Sequence, residues 1–356
     1  MAGVRHHVLP RFLLKGFASK IIQRANKKDD VFVWVFRKGV NPFEANIINV
    51  AVEKHFYGKE GELNVDDEMT NIESGFAISL DELRRQDDSY KISDDKILEF
   101  ITHLSSRTKH FRDSFIDASG YLVDNLFGYF SDYDNWKAWC IEHLKRHPEV
   151  IKNALDEAFS KISLSAYKKA MMRQRIKKMP IERIIAGMDN EQSQYEFLFQ
   201  ALQFKFAAEK HNIAKESHIK ALFKNLVSEP RLEYYRRLHW YLCRSSEPLI
   251  LGDVGCLFKL KGESKFKSLG GTEDEIENMY LPISSDCMVV GTAFLEAPQI
   301  DFNAINEAVA RCSRDFFVCS ISSSYQARLL SLLGDEAEMI TKDEMEQVIT
   351  ELITEP

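Results

Sequence analysis

The chain has 356 residues, of which 45% are hydrophobic and 28% charged, and its formal net charge is -7. This balance excludes collagen-like, wholly disordered and disulfide-scaffold classes, and it excludes a polybasic nucleic-acid or membrane binder while leaving room for one basic face. No run of about 18 apolar residues is present, so no transmembrane helix is expected.

Residues 1–28 carry seven Lys/Arg and no acid, a composition that organelle transit peptides share. Pro10 and the aromatic spacing after it read instead as folded structure. Pro10 suits a first helical position, and Leu13, Leu14, Phe17 and Ile21 follow at helical spacing, which predicts a short helix from 10 to about 24. Val31-Phe32-Val33-Trp34-Val35-Phe36 is β-branched and aromatic throughout and predicts a strand. Arg37-Lys38-Gly39 and Asn41-Pro42 supply turn chemistry, and 45–52 is a second strand. From 65 to 86, Val65, Met69, Ile72, Phe76, Leu80 and Leu83 recur at steps of three and four, the mark of an amphipathic helix. Ser93 is placed to cap the next helix, in which Ile97, Phe100, Ile101 and Leu104 begin an apolar stripe that runs on to Gly120. Trp136, Trp139, Cys140 and Leu144 mark another helix, ended by His147-Pro148. The segments 149–180 and 190–226 also read as mainly helical.

After Pro230 a short helix with Tyr234, Tyr235, Leu238 and Tyr241 gives way at Glu247-Pro248 to β-type sequence. Segments 249–260 and 279–292 form a hairpin-like pair around an exposed loop at 261–275. A helix at 302–312, a strand at 316–321 and a helix at 325–333 follow. The tail from Gly334 has eight acids and one lysine over a faint helical stripe. With strands at both ends and helices between them, the economical architecture is α+β: a helix-rich single unit, 1–356, whose N-terminal and C-terminal strands share one sheet. The alternative division is 1–230 and 231–356. The six cysteines all follow position 139 and show no C-x-x-C spacing, as expected of reduced thiols in a cytoplasmic protein.

The sequence has no phosphate-binding glycine loop, dinucleotide fingerprint, H-E-x-x-H, G-x-S-x-G or calcium loop. What stands out is His6-His7 at the mouth of the first helix. Neighbours on an extended segment point to opposite faces, so one imidazole would face a given pocket, as general base or metal ligand; the alternative is a pair of polar residues at a helix entrance. A second feature is electrostatic. Lys161, Lys168, Lys169, Arg173, Arg175, Lys177 and Lys178 lie within 161–181 without an acid, with Tyr167, Met171 and Met172 among them. Such a face would neutralise phosphates on RNA or DNA, or would balance the acidic tail in an internal or inter-subunit contact. The cluster Arg231, Tyr234-Tyr235-Arg236-Arg237 and Trp240-Tyr241 offers stacking surfaces, although its helical spacing places Leu232, Tyr235, Leu238 and Leu242 in a core.

His6-His7-x-x-Pro10-x-Phe12-x-Leu14-x-x-Phe17, then Val33-Trp34-Val35-Phe36, then Asn49-Val50-Ala51-x-Glu53-x-x-Phe56-Tyr57 resemble the opening of the bacterial family called domain of unknown function 4238. Glu68 with Ile72-Glu73, Ile97-x-x-Phe100-Ile101-x-x-Leu104-x-x-Arg107-Thr108, Ser245-Ser246-Glu247-Pro248 and Pro282-Ile283-Ser284 are similar to it too. The likeness covers most of 5–290. Where the family has an aspartate and an asparagine before the late proline, this chain has Ser246-Glu247. The family brings no activity with it.

The physical candidates are therefore His6, His7, Glu53, Glu73 and Arg107. A histidine with carboxylates from separate elements would hold Mg²⁺ or Mn²⁺ or activate a water, and Arg107 would clamp a phosphate with its planar fork. The bland alternative for the two glutamates is a solvated face or a structural salt bridge to Arg107. Ser245, Ser246 and Asp253 form at most a polar loop, since Pro248 reads as a turn. The expectation is a nucleic-acid-acting protein: a metal-assisted phosphodiesterase, or a toxin-like effector of a bacterial defence system, with 168–178 as docking surface for RNA or DNA. The rival expectation is a non-enzymatic scaffold, with a protein partner or a second copy of the chain and no membrane.

Overall fold

A computed structural model describes residues 5–25, 29–54, 65–161, 165–177, 179, 183, 196–197, 199–209, 227–270 and 274–354. Its contacts divide the chain into two compact units, Met1–Phe115 with Lys215–Met339 and Ile116–Ala214 with Ile340–Pro356. The fold is α+β.

The first unit is built on antiparallel sheets. Strand β3 (Asp30–Arg37) has Val31, Val33, Val35 and Phe36 buried, as its alternation predicts. Strand β4 (Val40–Asn46) lies along one edge of β3. The other edge is divided between β2 (Lys20–Ile22) and the late strand β13 (Phe316–Cys319), so N-terminal and C-terminal strands do share a sheet. Phe36 and its cross-strand partner Phe317 stack at 4.8 Å. Strand β8 (Leu251–Gly252) completes this sheet beside β13.

The strands occupy more than one sheet, however. A second, six-stranded sheet runs β10–β9–β11–β12–β7–β6, with β6 at Tyr90–Lys91, β7 at His239–Arg244, β9 at Leu257–Leu260, β10 at Phe266–Lys267, β11 at Ile276–Pro282 and β12 at Cys287–Thr292. A third pair joins β1 (Arg5–His7) to β5 (Val52–Lys54). Helix α2 (Val65–Leu83) and helix α3 (Asp95–Arg107) bury Phe76, Leu80 and Leu83 and Ile97, Phe100, Ile101 and Leu104, as their stripes predict.

Several boundaries differ from expectation. The first helix, α1 (Arg11–Leu14), tightens into a 3₁₀ turn ending at Phe17, and Ile21 lies in β2 because Val31 of β3 offers it a partner. The hairpin turn is Lys38-Gly39, with Gly39 at φ +75°, and Pro42 sits within edge strand β4, where a missing donor is tolerated. The α3 cap is Asp94, which accepts from the Lys96 N–H at 2.9 Å. The stripe expected to reach Gly120 is broken at Thr108, whose extended backbone separates α3 from α4 (Lys109–Phe130). Trp240 and Tyr241 belong to a central strand, and the helix before them is Glu229–Tyr235. Segments 249–260 and 279–292 pair in part as expected, since β9 lies antiparallel to β11 with Leu257 opposite Tyr280; β8 enters the other sheet, and β11 turns back on β12.

Gly291 of β12 faces Trp240 of β7, and a β-carbon there would lie 2.7 Å from the indole ring. The Trp240 Nε1–H donates to the Tyr235 carbonyl at 2.8 Å, so the ring has no free path of retreat. Gly291→Ala should cost about 1–3 kcal/mol by overpacking, read as a lower midpoint in chemical denaturation.

In the second unit, α5 (Tyr133–Arg146), α6 (Pro148–Lys161) and α7 (Ala166–Lys177) are described, and residues 199–209 are helical. The tail helix Lys342–Thr354 bonds to Tyr121 through Glu346 and to Trp139 through the Leu352 carbonyl.

Candidate functional site

The paired imidazoles lie on the short β1–β5 ribbon. His6 is opposite Glu53 and His7 opposite Val52, so alternation gives His6 and Glu53 one face and His7 the other. The ribbon continues through the Val8 N–H donating to the Ala51 carbonyl at 2.8 Å. Ala51 has φ +52°, a left-handed conformation that costs a side-chain-bearing residue about 1 kcal/mol or more.

Behind His7, Arg107 at the end of α3 is almost fully buried. One guanidinium nitrogen donates to Glu73 of α2 and to His103 Nε2, the latter at 3.1 Å; the other donates to the His7 carbonyl at 2.5 Å. Arginine is always the donor, so His103 Nε2 accepts and that ring keeps its proton on Nδ1. Arg107 therefore stitches β1, α2 and α3 together, and its fork faces protein rather than a phosphate.

Glu53 is held in the same fashion by a different cation. Arg112, buried on α4, donates Nη1 to Oε1 and Nη2 to Oε2, both at 2.8 Å. Burial works against charge on Arg112 and Asp113, but the Glu53 and Asp113 carboxylates raise the Arg112 pKa, and the Lys109 and Arg112 hydrogen bonds hold Asp113 below its ordinary value. Lys109 Nζ donates to Asp113 at 2.6 Å and to Asp315 at 3.0 Å. Thus Arg107 joins Glu73 to the backbone of His7, while Glu53, opposite His6, pairs with Arg112, so each glutamate has its own buried arginine; of the five candidates only Glu53 is among the residues that line the cleft. Among the described residues no group of three or more His, Cys, Asp and Glu side chains is arranged to hold a metal ion.

A cleft of about 360 Å³ opens on the Glu53 side. Val8, Ala51, Val52 and Phe316 form its apolar wall. Its charges are Arg37 and Lys38 from the β3–β4 hairpin, with Glu53, Lys109 and Asp315. The Arg37 guanidinium lies over the Phe316 ring at 5.7 Å. Both acids already have cations: Glu53 has Arg112, and Asp315 has Lys109. Arg37 and Lys38 are exposed and have no acidic partner among the described residues. The backbone that carries Asp315 is itself pinned, since buried Asp253 accepts N–H groups from Arg314, Asp315 and Phe316 at 2.8, 2.6 and 3.3 Å.

Sequence reasoning missed Arg112, His103, Lys109 and Asp315. The spacing His103 to Arg107, one helical turn, was the available sign of a contact on one face. Nothing local points from Glu53 to Arg112, 59 positions later.

The basic run on α7 is divided by packing. Lys169 Nζ donates to the Phe159 carbonyl at 2.5 Å, while Arg173 pairs with Asp156 at 2.6 Å and lies over the Phe159 ring. Those two cations serve the α6 contact. Lys168 and Arg175 are exposed beside Tyr167, Met171 and Met172. The side chain of Lys177 and all of Lys178 lie outside the described residues. The described hydrogen bonds of the tail helix go to Tyr121 and Trp139, and α7 receives none of them.

The early and late sequence blocks meet at Arg84. It donates to the Phe12 carbonyl at 3.0 Å and, through Nε and Nη2, to the Ile283 carbonyl at 3.0 and 2.6 Å, while Ser245 N–H reaches the Asp286 carbonyl at 2.8 Å. Arg107 and Arg112 thus tie the ribbon to helices, Arg84 ties the first helix to the late Ile283 loop, and the chain as a whole falls within a sequence family. It belongs to the family described as "Protein of unknown function (DUF4238)", whose family model matches residues 5–321. No curated protein and no solved structure matches the chain. Among the described residues no helix is long and apolar enough to cross a membrane.

Proposed function

We propose that this chain acts on nucleic acid, taking a backbone phosphate in the cleft between the β1–β5 ribbon and the β3–β4 turn. The observation that carries the reading is the pair Arg37 and Lys38: two exposed cations without acidic partners among the described residues, at a cleft whose own carboxylates already have cations. Cations of this kind attract and position phosphate. His6 shares the ribbon face of Glu53 and is the imidazole assigned to general acid–base work; it is buried and is not among the residues that line the cleft. With both glutamates held by arginines, imidazole chemistry fits the geometry better than a carboxylate site for Mg²⁺ or Mn²⁺. In the second unit, Lys168 and Arg175 with Tyr167 supply a separate surface for RNA or DNA. An enzyme of this sort suits a toxin-like effector in bacterial defence.

The test is an activity and binding screen of the pure protein against RNA and DNA, with and without divalent ions. Arg37→Glu/Lys38→Glu should weaken binding at least tenfold and flatten its salt dependence by about two phosphate contacts. His6→Ala should remove cleavage while leaving binding. Unchanged binding in the double variant would end the proposal. The scaffold reading is favoured by one observation, the pairing of Glu53 and Glu73 with Arg112 and Arg107; it predicts no turnover of any nucleic acid and a self-association or partner contact that weakens with salt.

A further inference from the structure

We infer that the cleft is built for a ribonucleotide unit, with Glu53 accepting a hydrogen bond from the 2′-hydroxyl, so that the preferred ligand is single-stranded RNA. The inference rests on the phosphate reading above and adds the sugar to it.

Four observations converge. The first is size: about 360 Å³ stands near the lower end of the roughly 300–1,000 Å³ range of small-ligand pockets, room for one nucleotide rather than a length of duplex. The second is charge. With Glu53 paired to Arg112 and Asp315 to Lys109, Arg37 and Lys38 are left to meet the negative charge of a phosphodiester. The third is the state of Glu53. Its two oxygens take the two Arg112 N–H groups at 2.8 Å, and the side chain is 24% exposed. A carboxylate has about four acceptor positions, so Arg112 fixes its orientation while leaving two positions for a donor in the cleft. The fourth is the character of the cleft's polar groups. Beyond its cations, which meet the phosphate, the cleft presents carboxylate acceptors, and the group of a nucleotide that can answer a carboxylate beside a phosphate is a sugar hydroxyl. That hydroxyl is what lets a protein tell RNA from DNA.

The apolar wall completes the fit. Val8, Ala51 and Phe316 offer surface to the sugar ring, and the Arg37 guanidinium lies over Phe316 at 5.7 Å from the ring centre. The left-handed backbone at Ala51 belongs to the same wall and places Val52 and Glu53 beside it.

The experiment varies the ligand and leaves the protein intact. Fluorescence anisotropy is measured with one short single-stranded sequence as ribo, 2′-deoxy and 2′-fluoro oligonucleotides, each checked by gel for integrity after the reading. The 2′-fluoro chain keeps an RNA-like sugar and cannot donate. The expected result is that the ribo form binds about tenfold or more tightly than both others, the size of a hydrogen bond to a charged acceptor. A Glu53→Met/Arg112→Met double variant, which removes the buried pair together, should bind all three alike. Equal affinity for the three ligands in the wild type, with binding still lost in Arg37→Glu/Lys38→Glu, overturns the hydroxyl contact and keeps the phosphate cleft. Tight ribo and 2′-fluoro binding with weak 2′-deoxy binding also overturns it, since sugar shape would then be the discriminator. Binding indifferent to Arg37 and Lys38 overturns both.

Discussion

Replacing Arg107 with alanine should destabilise the first unit by about 2–4 kcal/mol, since a fully buried side chain is lost together with its charge-assisted hydrogen bonds. The loss has three parts: Glu73 loses its cation, the His7 carbonyl loses its donor, and His103 Nε2 loses the N–H that fixes its tautomer. Denaturation followed through Trp34 and Trp240, both in the first unit, reads it directly. Arg107→Lys should recover little, since one ammonium on a flexible stem cannot reach all three partners with the geometry of a planar fork. If alanine is tolerated within 1 kcal/mol, the buried network is not what holds the ribbon to α3.

The second large effect is in the pH dependence of stability, where two buried groups act with opposite signs. Burial lowers the His110 pKa to about 4, assisted by Arg314, while its ring nitrogen bonds the Ala337 carbonyl at 2.6 Å. The folded state prefers the neutral ring. Its contribution is therefore complete above pH 6.5 and is lost as pH falls toward 4, about 3 kcal/mol across the window. Asp253 goes the other way: burial raises its pKa to about 7 against three backbone N–H donors, so it costs nothing near pH 4 and about 4 kcal/mol by pH 7 and above. Together they leave the wild-type profile shallow between pH 4 and 7. Single variants should separate them. His110→Gln should become less stable as pH rises through that range, and Asp253→Asn less stable as pH falls through it. Parallel profiles for the two variants would show that neither group titrates as its burial demands.

Why Glu73 was half legible and Glu53 was not is a matter of chain distance and alternatives. Glu73 and Arg107 lie on helices whose stripes were plain, so a salt bridge between those helices was a natural reading, and it is the one the structure contains. Glu53 was read against the same arginine, but its partner is Arg112, on a helix whose start at Lys109 was hidden because the apolar stripe continues past Thr108 without a proline or glycine. The strand at β3 was legible from alternation alone. The strand at β7 was not, because Leu232, Tyr235, Leu238 and Leu242 keep helical spacing across a boundary at which the chain changes from helix to sheet; the Trp240 and Tyr241 side chains that made a stacking platform conceivable are core. On α7 the count of basic residues was correct and their availability was not, since the Phe159 carbonyl and Asp156 that occupy Lys169 and Arg173 belong to another helix. Patterns of period show which face is buried; they do not name the atom a charge will meet.

The pairing of β3 with β13 spans nearly the whole sequence, and 116–214, the core of the second unit, is encoded between them. During synthesis the edge of β3 from Trp34 to Arg37 must therefore wait, unpaired, until residues near 316 leave the ribosome, while the intervening helices are free to fold on local contacts. A nascent chain stalled just before Phe316 should accordingly be captured by chaperones or aggregate, whereas one extended past Cys319 by the length of the exit tunnel should resist protease at the Arg37–Lys38 turn. The β3–β4 hairpin that carries Arg37 and Lys38 thus gains its second neighbour only after most of the first unit has been made.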